Sequence, residues 1–376
     1  MTVNSISTAI VIGAGIFGIS TAVQLVRRGV HVTLVNDGPV LNGASGRSLS
    51  WLNSARRRST AYHQLRVLGI DRYRALAARF PTAEWLRFEG GLTWDAEDDN
   101  EIGEVFRHET AIGYDARHVQ AEAVRDVTPG VDVTTIPRQG ALFNAGEGWV
   151  DLPLLSGVLL EEFTRRDGIL LKQDGAASVI IENNKAKGAA TASGKRLEAD
   201  AILLATGAGV PKAVAATTGQ FIGDRSSTGL LIRTKPLAHP LRAVLNTPRV
   251  AIRPAPGGAF VLDAEWAANE VIRRADGTLD VRAETFTALL AEASNVLEGS
   301  PALEVESHGV GAKPIPGDGE PVFGELQSTP GYFVAFSHSG ATLGLIGGEL
   351  LAYEIATGKR HPLLAPFRPD RFAGNA

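Results

Sequence analysis

The segment Gly13-Ala14-Gly15-Ile16-Phe17-Gly18 constrains this chain more than any other, because of what flanks it. Residues 9–12 form a short run rich in β-branched residues, the pattern of a buried parallel strand. Beyond the glycines, apolar residues recur at helical spacing (Ile19, Ala22, Val23, Val26) until Arg27-Arg28-Gly29 supplies cations and a glycine stop. Residues 31–35 read as a second strand. Strand, G-x-G-x-x-G, helix and strand within about 30 residues is the setting that makes the motif a dinucleotide fingerprint. There Gly13 makes the tight turn, Gly15 lets the backbone approach a pyrophosphate, and Gly18 lets helix and strand pack closely. Ile16 and Phe17 open the helix, whose unpaired N–H groups and positive dipole end face the phosphates. One position departs from the pattern: a carboxylate for the ribose hydroxyls is expected where the chain reads Val35-Asn36-Asp37. Either Asn36, with a single acceptor oxygen, makes a weaker contact or Asp37 reaches over.

Residues 8–26 carry no charge and have the length of a membrane or signal segment. No Lys or Arg precedes them and three glycines interrupt them, so the expectation is a cytoplasmic protein without a membrane span. The chain of 376 residues has no cysteine, which excludes disulfides, thiolate metal sites, iron–sulfur clusters and a cysteine nucleophile. No metal-ligand spacing, nucleophile elbow or P-loop is present. The balance of 37 basic against 41 acidic residues argues against a nucleic-acid partner. With 42 glycines and no low-complexity repeat, the composition points to many tight turns or to backbone pressed against a ligand.

Three further segments bear on which dinucleotide is bound. Residues 43–48, with Ser45, Gly46, Arg47 and Ser48, form a small-residue loop with one cation, suited to a flat ring system or a diphosphate. Residues 199–206 are a second buried strand, closed by the turn Gly207-Ala208-Gly209. Residues 331–336 form a strand, 337–340 a turn and 342–356 a helix, which places another helix N-terminus at a strand end. In order along the chain, VIGAGIFGIS (11–20), GASGRSLSWLN (43–53), EGWVDLPLL (147–155), ADAILLATGAG (199–209), KPIPGDGEPVFG (313–324) and FVAFSHSGATLG (333–344) resemble the FAD-dependent D-amino acid oxidases. That family includes glycine oxidase, sarcosine oxidase and the D-amino acid dehydrogenases.

The resemblance implies roles by position. Gly13, Gly15 and Gly18 bind the FAD pyrophosphate, Asn36 or Asp37 meets the adenosine ribose, and Ser45, Gly46, Arg47 and Ser48 line the diphosphate and flavin. Thr206 and Gly207 close the sheet beside them, while Gly340, Ala341, Thr342 and Leu343 turn backbone N–H groups toward the flavin pyrimidine edge. A helix N-terminus there favours the negative charge of reduced flavin. Without cysteine, the sulfur tether of the sarcosine oxidase branch is excluded and FAD is expected to be noncovalent.

The implied reaction passes a hydride from the α-carbon of an amine or amino acid to flavin N5, and water hydrolyses the imine. Oxygen or a quinone takes up the electrons, and the oligomeric state is left open. Where the family commonly grips the substrate carboxylate with an arginine, this chain has Lys313, a point charge without the planar fork. Three readings follow: Lys313 pairs a carboxylate, it contacts the flavin, or the substrate has no α-carboxylate. The last admits a non-amino-acid amine, an amino sugar or a natural-product intermediate, and a flavin-binding subunit of a larger dehydrogenase complex is a further alternative. His338 in the turn before the last helix and Arg253 on a hairpin (251–254, turn 257–258, 259–262) are candidate active-site groups. His308 and Trp51 could face the cavity or merely pack, and Arg56-Arg57-Arg58 reads as a solvated run.

The expected fold class is α/β, a Rossmann-like FAD-binding domain (1–75, 147–215, 305–376) with an interleaved antiparallel-sheet substrate domain (76–146, 216–304).

Overall fold

A computed structural model describes residues 6–98 and 100–373. The chain divides into two units, 1–46 with 152–227 and 312–376, and 47–151 with 228–311. The segments interleave, but the first division falls after Gly46 rather than at 75. The reason is pairing: Trp51–Leu52 joins Gly148–Val150 as an antiparallel strand, Trp51 opposite Trp149. The Thr60–Arg79 helix follows in the same unit.

The first unit is built on a six-stranded sheet in the order Val322–Glu325, Tyr332–Phe336, Ala201–Leu204, Thr8–Ile12, His31–Val35, Ile169–Leu171. All neighbours are parallel except the first pair, a hairpin. The central strands are buried on both faces, as their continuous apolar runs require. Ile10, Ile12, Val35, Ile202 and Leu204 pack with Val179, Ala186 and Ala189 of a three-stranded antiparallel sheet. The helices Ile16–Val26 and Gly340–Thr357 pack against each other. Gly348 is what lets them approach, since a Cβ there would run into Ser20. Asp200 Oδ2 accepts from the Ser7 and Thr8 N–H groups at 2.9 and 3.0 Å, tying the amino ends of two neighbouring strands together.

The second unit holds an eight-stranded, mostly antiparallel sheet in the order Val305–Lys313, Ser227–Thr234, Ala259–Asp263, Ala251–Ala255, Val244–Asn246, Gly91–Thr93, Ala141–Asn144, Arg117–Val119. One pair, Val244–Asn246 with Gly91–Thr93, is parallel. Leu92, Phe143, Ile232, Leu245, Ile252 and Leu262 form its core with Leu289, Ala293 and Val296 of the Ala283–Val296 helix. The expected hairpin is present, with Arg253 opposite Val261. Among the described residues no helix is long and apolar enough to cross a membrane, and the uncharged stretch 8–26 is a strand and a helix.

Candidate functional site

In the first unit the glycine turn connects the carboxyl end of Thr8–Ile12 to the helix Ile16–Val26. Gly13 has φ +106°, a conformation only glycine adopts without strain, and a Cβ on it would stand 2.6 Å from the Ala205 carbonyl oxygen. A Cβ on Gly18 would run into the Gly13 carbonyl oxygen, so this glycine lets the helix sit directly on the turn. Gly15 is different: its nearest neighbour would be Ser45 Oγ at 3.2 Å, which leaves the backbone open.

The helix start shows what it lacks. Gly15, its N-cap, offers no side-chain cap, and no acidic residue lies in the first turn. The Ala14 N–H donates to Asn36 Oδ1 at 2.8 Å and the Ile16 N–H to Ser45 Oγ at 3.0 Å. Among the described residues no protein acceptor takes the N–H groups of Gly15, Phe17 or Gly18. A turn stripped of Cβ atoms, with main-chain donors and a positive dipole end, is the donor set that a pyrophosphate needs.

The last helix repeats the arrangement. It begins at Gly340 after the strand Tyr332–Phe336, and Ser339 gives it no side-chain cap. A Cβ on Gly340 would touch Ile16 Cγ2 at 3.5 Å, so the two helix starts lie side by side at the carboxyl ends of parallel strands. Ala341, Thr342 and Leu343 of its first turn are buried. Carboxyl ends of parallel strands are where α/β sheets bind ligands.

Asn36 is buried and its amide serves the protein itself. Oδ1 braces Ala14, and Nδ2 donates to the carbonyls of Gly38 (3.1 Å) and Pro39 (2.7 Å). A carboxylate would face those two carbonyl oxygens without a proton, which explains why an amide stands here. Asp37 is exposed. A Cβ on Gly46 would collide with the Leu41 carbonyl, and Ser48 Oγ accepts from the Ser50 N–H at 3.0 Å, so both shape the loop. Gly207, at φ +59°, makes the turn after Thr206. His338 is exposed in its turn and Lys313 is half-buried at the end of its strand.

The second unit contains a buried ionisable cluster that sequence reading missed. Glu147 and Glu109 are both 0 % exposed. The Tyr114 hydroxyl donates to Glu147 Oε1 at 2.5 Å and accepts from the Ser54 N–H at 2.9 Å, while Ser54 Oγ lies 2.9 Å from His63 Nδ1. Glu109 accepts from the Arg56 N–H (2.6 Å) and Asn144 Nδ2 (2.8 Å). Arg66 donates to the carbonyl and the side chain of Asn53, both at 2.8 Å. Burial pushes the Glu147 carboxyl up to about 8 against the Tyr114 hydrogen bond, and raises the Tyr114 phenol well above its ordinary value. The only sequence signal was Glu147 itself, at the head of residues 147–155.

Arg253 is 3 % exposed, its guanidinium over the Trp149 ring at 5.1 Å and Nη2 3.6 Å from Asp151 Oδ2. Burial lowers it to about 10 against the pull of Asp151. Its Nε and the Trp149 indole N–H find no partner among the described residues. The triple arginine corrects its sequence reading: Arg57 pairs with Glu104 on the surface, but Arg56 pairs with Asp95, and half-buried Arg58 lies 5.6 Å over the Tyr62 ring. His308 is exposed and edge-on to Phe286, a packing role.

The glycine turn, paired helix starts and parallel sheet define a dinucleotide-binding oxidoreductase. The chain belongs to the DAO family, FAD dependent oxidoreductase, whose model matches residues 8–354. Its fold is the expected α/β one, a Rossmann-like FAD-binding unit interleaved with an antiparallel-sheet unit, and its cofactor is FAD. Glycine oxidase of Pseudomonas aeruginosa is 26% identical over 387 residues, covering 96% of this chain and 98% of that protein. The uncharacterized oxidoreductase YurR of Bacillus subtilis is 26% identical over 219 residues, and that match spans about half of each protein, 53% of this chain and 54% of the other. L-amino acid deaminase from Proteus myxofaciens, in complex with anthranilate, superposes with TM-score 0.83 at 18% identity, covering 98% of this chain and 94% of that one.

Proposed function

We propose that this enzyme oxidises the C–N bond of a small amino acid or amine, with hydrolysis of the imine product by water. The observation that carries the reading is the pair of uncapped helix starts at Gly15 and Gly340, side by side at the carboxyl ends of parallel strands. The near full-length likeness to a glycine oxidase supports the substrate class. Bound FAD supplies the two-electron acceptor, taking a hydride from the substrate α-carbon at its N5.

The chain's own residues do the holding. Gly13, Gly15, Ile16, Phe17 and Gly18 present main-chain donors to the pyrophosphate, and Ser45 braces them. With the Asn36 amide committed to Ala14, Gly38 and Pro39, the ribose contact falls to Asp37. Thr206 and Gly207 form the neighbouring turn, and Gly340 to Leu343 set a dipole that favours negative charge on the ring. His338 flanks that helix start. Arg253, sealed against Trp149 and Asp151, positions its sheet rather than touching substrate.

Lys313 favours a second reading, a substrate amine without an α-carboxylate. Anaerobic mixing of the purified FAD-loaded chain with glycine, D- and L-amino acids and simple amines tests both. Bleaching of the yellow band by an amino acid supports the first, and bleaching by carboxylate-free amines alone supports the second. If none bleaches it, independent amine oxidation is wrong and a subunit passing electrons to a partner takes its place. Reoxidation by air or only by a quinone then separates oxidase from dehydrogenase.

A further inference from the structure

The strand Val305–Lys313 carries two glycines, Gly309 and Gly311, neither with the left-handed backbone that requires glycine. Glycine inside a strand weakens it by roughly 0.5–1 kcal/mol and often marks a close approach. The approach here is made by one side chain. A Cβ on Gly309 would stand 2.9 Å from Arg47 Cγ and 3.0 Å from its Cδ, and one on Gly311 would stand 3.3 Å from Arg47 Nη1 and 3.4 Å from Cδ. The arginine stem therefore lies flat along the strand, and its guanidinium heads from position 309 toward 311 while the residue stays exposed. The next position on that strand face is Lys313.

The neighbouring residues of this loop serve different units. Ser45 caps the phosphate-facing helix start in the first unit, whereas Arg47 lies on the sheet of the second. A guanidinium is the planar fork that reads a carboxylate in two parallel hydrogen bonds, which an ammonium does not offer.

We propose that Arg47 is the residue that recognises the substrate's carboxylate, with Gly309 and Gly311 as the track that aims it. This rests on the amino-acid reading above and assigns Arg47 a task apart from the cofactor diphosphate. The substrate class is then an amine bearing a carboxylate, despite the lysine at 313.

The test uses FAD-loaded enzyme and acetate as a non-oxidisable probe, followed by the shift of the flavin absorbance without turnover. Arg47→Met should keep the wild-type ratio of FAD to chain and weaken acetate at least about tenfold. Arg47→Lys should stay nearer to Met than to wild type. Gly309→Ala, which keeps the cation but displaces its stem, should weaken acetate in the same direction, and it guards against a misfolded Arg47 variant. Loss of FAD from Arg47→Met would assign the residue to the cofactor and overturn the proposal. Acetate affinity unchanged in Arg47→Met overturns it as well, as does a wild-type enzyme blind to acetate. Amine bleaching in that last case leaves the C–N oxidation reading standing. Arg47-dependent acetate binding without bleaching by any amine instead removes that reading and keeps the anion site.

Discussion

Around the glycine turn of the first unit, the groups available to a ligand are main-chain amides braced by short neutral side chains, Asn36 and Ser45. In the second unit the buried polar groups are ionisable and long: Glu109, Glu147, Arg66 and Arg253. The first arrangement is aimed by the fold itself. Its weak point is any added Cβ. The second depends on partners far apart in sequence, such as Tyr114 with Glu147, and on protons. Its weak points are pH and the loss of one member of a pair. A cofactor cradle made of backbone is indifferent to pH, while the unit built around buried acids is not.

The largest effect is expected at the turn. Gly18→Ala drives a methyl into the Gly13 carbonyl, and the helix must back away from its own start. Stability should fall by about 3 kcal/mol, and FAD retention should fall with it. A melting curve and the FAD-to-chain ratio after gel filtration measure both. Retention of FAD at wild-type ratio would show that the helix can move without spoiling the cradle.

Glu147 supplies the contrasting case. The folded carboxyl keeps its proton up to about 8, whereas its ordinary value is 4.5. Between these values the native state binds more protons than the unfolded one, so stability falls as pH rises and levels off above 8. The slope from this one group is up to about 1.4 kcal/mol per pH unit. Glu147→Gln is neutral throughout and should flatten the curve. Urea midpoints for both proteins from about pH 5 to about pH 9 read the difference. Parallel curves would remove the proton from the account.

The same contrast decides what could be read from the sequence. The helix Ile16–Val26, the strand His31–Val35 and the hairpin carrying Arg253 were legible because their signals are local: glycine spacing, β-branched runs and turn residues. The Glu147 cluster was not. Tyr114 lies 33 residues before Glu147 and 60 after Ser54, and each alone reads as an ordinary polar residue. Nothing in Arg56-Arg57-Arg58 shows that neighbours part company, one outward to Glu104 and one over Tyr62. Asn36 was visible as a missing acid, but its reason, the Gly38 and Pro39 carbonyls, is a matter of loop geometry. The expected boundary at 75 missed the pairing of Trp51 with Trp149, a contact across about a hundred residues.

Arg253→Met tests whether buried pairs hold the second unit as the comparison requires. It leaves the Asp151 carboxylate buried without its cation and should cost about 3 kcal/mol. Adding Asp151→Asn should recover part of that loss, because the stranded charge is then gone. Urea denaturation of the single and double variants measures it. Equal stabilities for the two would mean that the 3.6 Å pair contributes nothing and that stacking on Trp149 carries the arginine.

The smallest effect is expected from Ser45→Ala, and its smallness is the point. Ser45 Oγ takes a single amide, that of Ile16, at the start of a helix otherwise held by its packing. Losing such a cap typically costs about 1 kcal/mol. The stripped amide joins those of Gly15, Phe17 and Gly18, which already look outward, so a bound anion can take it over. Loss of stability should therefore be larger in the FAD-free protein than in the loaded one, and the FAD ratio should stay at the wild-type value. Melting curves with and without FAD show this directly. A cost as large as that of Arg253→Met would mean that one side chain, rather than the main chain, organises the cradle, and the distinction between the two units would lose its basis.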